Sequence, residues 1–153
     1  MEALQVAEFA ERKFHDTMKE QGETVGFGFE LPRAMLLGVD VVEGRVIVTP
    51  EVASHGDIYQ LIDSKAAREA VSRFQYVALA TCGWAAPIPA NSDEPEVAPS
   101  QHTERRRVRL FLCASSAQVS AVLRFQDDED NPLTESDSDY RGPLADAVLG
   151  MFR

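Results

Sequence analysis

The chain has 153 residues, 44% of them hydrophobic, and a formal net charge of −10. This size fits a single core in one α+β domain spanning residues 1–153, and the charge disfavours direct binding to nucleic acid or anionic lipid, which need a phosphate-neutralising surface. No run approaches the roughly 18 apolar residues of a membrane span, and the acidic start MEALQVAEFAERK lacks the basic flank and apolar centre of a signal peptide, so a cytoplasmic location is expected.

Ala3, Ala7, Ala10, Phe14 and Met18 recur at three- and four-residue spacing, which predicts an amphipathic helix over about residues 2 to 20, ended by Gly22. His15 falls on its polar side and is expected to be solvated. GFGF at 26 to 29 is no dinucleotide fingerprint, because that motif must follow a strand and open a helix. MLLGVDVV and RVIVT read as strands joined at Glu43-Gly44, a hairpin. Asp57 is the expected N-cap of a helix running through IYQLIDSKAAREAVSRF, with His55 a loop residue before it. YVALATC, RVRLFLC and QVSAVLRF supply three more strands, and Gly142-Pro143 introduces a closing helix, LADAVLGMF. The order is α-β-β-α-β-β-β-α, giving a mostly antiparallel five-stranded sheet with packed helices.

Two stretches interrupt this pattern. Residues 87–104 hold four prolines and no apolar periodicity, which predicts a flexible loop. Residues 127–139 hold seven acids and no base, so most of the excess charge lies in one acidic loop. Its order of acids, with Pro132 inside, departs from an EF-hand loop, and the expectation is no metal and no cofactor.

A turn at Ala114 to Ala117 would pair Val108 with Leu123, Leu110 with Ala121 and Leu112 with Val119, apolar against apolar. The opposite face then carries Arg105, Arg107, Arg109 and Arg124, with Arg107 across from Arg124 and the acids from Asp127 to Asp130 close by. A guanidinium cluster suits phosphate or carboxylate recognition; the alternative is a self-neutralising surface network with the acidic loop.

Cys82 and Cys113 are too few for a disulfide scaffold or a four-thiolate zinc site. On neighbouring strands they would stand about 20 Å apart, at ~3.3 Å per residue, too far to bridge. Cys82 ends a strand before a loop containing His102, so a Cys82–His102 dyad for a hydrolase or transferase is geometrically allowed, although no third orienting group is identified. Ala78, Ala80 and Cys82 share a strand face with Trp84. Small residues there leave room for the first or second helix, whose end Trp84 is expected to cap, mostly buried.

CGWAAP (82–87), PSQHTERRRVRL (99–110), VLRFQDDED (122–130) and RGPLADAVL (141–149) resemble a family of uncharacterised proteins from actinobacteria and their phages. The resemblance implies a bacterial or phage setting and carries no site residue across. By element order the chain also compares with roadblock and profilin-like modules, which are interaction modules that often pair.

Three function classes stay open. The leading one is a non-enzymatic protein-binding or regulatory module, with a protein partner or a second copy of the chain, using Trp84 and the arginines Arg105, Arg107, Arg109 and Arg124 as contact surface. The others are an acidic nucleic-acid mimic acting on DNA-binding proteins and a Cys82-dependent hydrolase or transferase.

Overall fold

The computed structural model describes residues 1–25, 31–85, 101, 104, 106–126 and 134–153. GFGF, most of the Pro-rich loop, His102, Arg105 and Asp127 to Asp130 lie outside these residues. The class is α+β, with helices α1 (Ala3–Val25), α2 (Ile58–Ile62), α3 (Lys65–Arg73) and α4 (Pro143–Gly150) on a six-stranded sheet. Its strands are β1 (Ala34–Val42), β2 (Arg45–His55), β3 (Tyr76–Ala85), β4 (Arg106–Ala114), β5 (Val119–Phe125) and β6 (Thr134–Asp137). They lie in the order β2-β1-β3-β4-β5-β6, each pair antiparallel.

The central strands read as near-continuous apolar runs because both of their faces are covered. Leu36, Val77, Leu79, Leu112, Val119 and Ala121 pack with α2, α3 and α4 through Leu61, Ala67, Ala70 and Val148. Leu37, Val39, Ala78, Ala80, Phe111, Cys113 and Val122 pack with Val6, Ala7, Ala10, Phe14 and Met18 of α1. The small residues of β3 are thus where a helix approaches, and α1 is that helix.

Local chemistry explains most boundaries. Glu43 and Gly44 both have positive φ, 52° and 75°, the requirement of a two-residue hairpin turn whose twist matches the strands. Asp57 caps α2 by accepting from the Tyr59 and Gln60 amides. The expected single helix from Asp57 is instead two, because Ser64 caps a second start: its Oγ accepts from Ala67 N at 3.2 Å and donates to the Leu61 carbonyl at 2.6 Å. The first helix runs past Gly22 to Val25. The sixth strand falls inside the expected acidic loop, where Leu123 pairs with Glu135 and Ala121 with Asp137.

The β4–β5 register differs from expectation by two residues. Val108 pairs with Phe125, Leu110 with Leu123 and Leu112 with Ala121, and the turn closes with Ser115 N donating to the Gln118 carbonyl. Arg109, not Arg107, is the residue opposite Arg124.

Both sheet edges are blunted against strand addition. Lys13 reaches from α1 to donate to the Val46 carbonyl on β2 at 2.5 Å. Further along β2 the register shifts between Leu36 and Gly38, and Pro50 and Glu51, the latter at φ 23°, fall in that shift. At the other edge, among the described residues, β6 is a short polar strand of four, Thr-Glu-Ser-Asp.

Candidate functional site

On the α1 side of the sheet, one cross-strand row reads Cys82, Arg109, Arg124, and the next reads Trp84, Arg107. The first row carries two arginines beneath a helix, an arrangement that needs a counter-charge. Glu11 supplies it. This carboxylate lies on the apolar stripe of α1 with Ala7, Ala10, Phe14 and Met18 and is only 2% exposed. Arg124 grips it with two parallel hydrogen bonds, Nε to Oε2 at 2.8 Å and NH2 to Oε1 at 2.6 Å, the bidentate geometry a guanidinium favours.

Arg109 is the second cation, 1% exposed, with its NH2 3.8 Å from Glu11 Oε2. The same NH2 lies 2.6 Å from His15 Nδ1, and the guanidinium lies over the Phe14 ring at 5.2 Å. A guanidinium has no acceptor, so it donates and His15 accepts through an unprotonated Nδ1. Burial, with Arg124 and Arg109 beside it, pushes the His15 imidazole down to about 4. Burial also lowers the Arg109 guanidinium from its usual value, opposed by Glu11.

The expected solvent-facing arginine network is therefore corrected for Arg109 and Arg124. Both face inward under α1, where Glu11 is paired with Arg124 and lies within 4 Å of Arg109, and His15 is half-buried against them instead of solvated. The physical reason is that this strand face is covered, so its charges must find partners within the helix–sheet interface. Chemically, the cluster is a fastener. Its acid is engaged by Arg124 and its base by Arg109, and the acid lies closed between helix and sheet.

His15 gives the cluster a pH signature. Its folded value lies below the ordinary 6.5, so the unfolded chain binds the extra proton between about 6.5 and 4. The stabilisation is fully present above pH 6.5 and is lost as pH falls toward 4. Between pH 6.5 and about 5, above the ordinary carboxylate range, the urea midpoint of the native chain should fall more steeply than that of a His15→Asn variant, whose amide accepts the bond without taking up a proton. Equal slopes would contradict the contact.

The next row is more open. Trp84, expected to be mostly buried, is 39% exposed, and the Arg107 guanidinium stacks on its indole 5.0 Å from the ring centroid. On the opposite sheet face Arg106 lies 4.1 Å from the Phe125 centroid. The correction for Trp84 follows from its place near the end of β3: α1 covers Ala78 and Ala80 and ends its coverage before Trp84.

Neither cysteine is in a disulfide. Cys113 pairs with Ala78 and Cys82 with Arg109, four strand residues apart, about 13 Å at ~3.3 Å per residue and so nearer than expected, though still beyond bridging. Cys82 is half-buried and its Sγ accepts from Leu31 N at 3.3 Å; the allowed dyad with His102 falls outside the described residues. Cys113 is buried, and burial pushes its thiol up to about 12. It should stay unlabelled by iodoacetamide in the native chain and react once the chain is unfolded in urea; labelling of Cys113 at the native rate of an exposed thiol would contradict the packing.

Among the described residues no three His, Cys, Asp or Glu side chains converge on a metal-sized position, and no helix is long and apolar enough to cross a membrane. Glu11 and His15 were the residues least visible in the sequence, although an acid in register with Ala7, Phe14 and Met18 is itself a signal. Compared with family models, curated proteins and solved structures, the chain shows no significant match.

Proposed function

We propose that the chain is a non-enzymatic protein-binding or regulatory module, of bacterial or phage origin, whose contact surface is centred on Trp84 and Arg107. The observation that carries this reading is the stacked pair itself: a tryptophan 39% exposed with a guanidinium 5.0 Å over its ring, beside a row of the same sheet face whose arginines are buried. Tryptophan and arginine are the residue types most enriched among those that dominate binding energy at interfaces, because each offers a large flat surface with a polar handle. Holding the indole and guanidinium against one another before binding lowers the side-chain entropy lost on association. The protonatable and acidic groups beside this row, His15 and Glu11, are engaged by Arg109 and Arg124, which favours recognition over chemistry.

The test uses the full chain as bait in parallel with Trp84→Ala and Arg107→Ala. A partner recovered by the native chain should be lost from both variants, with affinity falling about 30-fold or more for Trp84→Ala, the fold-change of a 2 kcal/mol hot spot. Recovery of the same partner at equal affinity by both variants would overturn the assignment of this surface.

A further inference from the structure

We infer that the groove between α1 and β2 is a docking site for a basic, amphipathic segment of a partner protein. The inference rests on the reading of the chain as a protein-binding module and adds a second contact with its own chemistry.

The groove has a volume of about 400 Å³, and α1 and β2 form its walls. Phe14, Leu37 and Val48 give it an apolar floor, and Ile47, 46% exposed, forms one lip. Asp16 and Glu20 stand on the other lip, one helical turn apart. Asp16 makes no ion pair among the described residues. The groove's one lysine, Lys13, is committed to the Val46 carbonyl. Lys13 keeps its charge in that contact, so with Asp16 and Glu20 the rim carries a formal −1 above an apolar floor.

Such a groove matches side chains that are apolar along their length and cationic at the tip. Lysine and arginine lay their methylene stems on apolar surface while the charged head reaches a carboxylate, and neighbouring leucine-like residues would cover Ile47. The Lys13 contact, Pro50 and the shifted register oppose strand addition on β2, so the segment binds through side chains entering the groove. Like charges across the rim would reject an acidic segment.

The test is fluorescence anisotropy at low salt with a labelled peptide alternating lysine and leucine, and its glutamate–leucine counterpart. The lysine–leucine peptide should bind and the counterpart should not. Asp16→Asn and Ile47→Ser should each weaken binding about tenfold, whereas Glu135→Gln, an equal charge change on the opposite sheet edge, should leave it unchanged. Unaltered unfolding midpoints establish that the variants are folded.

Three results would overturn the proposal: no binding of the lysine–leucine peptide; equal weakening by Glu135→Gln, which means general attraction to an acidic chain; or displacement by hexylammonium at concentrations matching the peptide, which means a small-molecule site. A partner that still depends on Trp84 while the peptide fails would leave the protein-binding reading standing and remove the groove alone.

Discussion

Replacing Glu11 with alanine should destabilise the fold by about 3–5 kcal/mol, because it strands two buried guanidinium groups that cannot lose their charge. In the native chain both oxygens of Glu11 are engaged by Arg124, and Arg109 lies within 4 Å. A loss of this size is a large part of the whole stability of a domain this long. The cause is the uncompensated charge, so removing all three together should be far milder: Glu11→Leu with Arg109→Met and Arg124→Met replaces the cluster by apolar packing and should be close to neutral. Urea denaturation at neutral pH reads both. A loss under about 1 kcal/mol for Glu11→Ala, the scale of an exposed pair, would mean that the cluster is open to water.

The second large effect is expected at Gly38. A Cβ there would come within 2.5 Å of three ring atoms of Phe74, which closes the α3 side of the core at 9% exposure. Gly38→Ala should therefore cost about 1–3 kcal/mol through overpacking, although alanine is otherwise the better strand residue. Phe74→Ala alone should cost about 3–5 kcal/mol. The double variant should cost less than the two losses added together, because the new methyl occupies space the ring has left. Strict additivity in a urea-denaturation cycle would show that the two positions do not meet.

Five of the six strands, the hairpin turn and the need for a helix over Ala78 and Ala80 were legible because they follow from local pattern. Glu43-Gly44 carries its turn chemistry in two residues, and Ala78 and Ala80 announce a close-packed face. The β4–β5 register was not legible, and the reason is general. A strand's side chains repeat every two residues, so a shift by two keeps apolar opposite apolar and leaves parity unchanged. Arg109 and Arg124 were thus assigned the correct face but not their pairing. Whether that face met water depended on where α1 lies, which no local window of β4 or β5 contains.

The Glu11 contact joins residues 98 and 113 positions apart, beyond any periodicity argument. What the sequence did hold was an acid in the apolar stripe of the first helix and two arginines at inward strand positions. Each alone reads as surface charge; together they are the two halves of one interface. β6 escaped notice because Thr-Glu-Ser-Asp has no apolar side chain, and a short polar edge strand forms only by pairing with β5. The break at Asp63-Ser64 is a capping signal hidden inside an otherwise continuous helical pattern, with Ser64 ending one helix and starting the next.

Two rows on one face of the sheet differ in role: the Glu11, Arg109, Arg124 and His15 row fastens α1, and the Trp84–Arg107 row is the proposed contact surface. The most direct test is the dissociation constant for the partner recovered by the native chain, measured by calorimetry for Trp84→Ala and for Glu11→Gln under conditions where both are folded, beside their urea midpoints. Trp84→Ala should lose about 30-fold in affinity with little change in midpoint. Glu11→Gln should show the reverse, a lowered midpoint with affinity retained. Native affinity in Trp84→Ala together with lost affinity in folded Glu11→Gln would contradict it, placing recognition at the buried row instead.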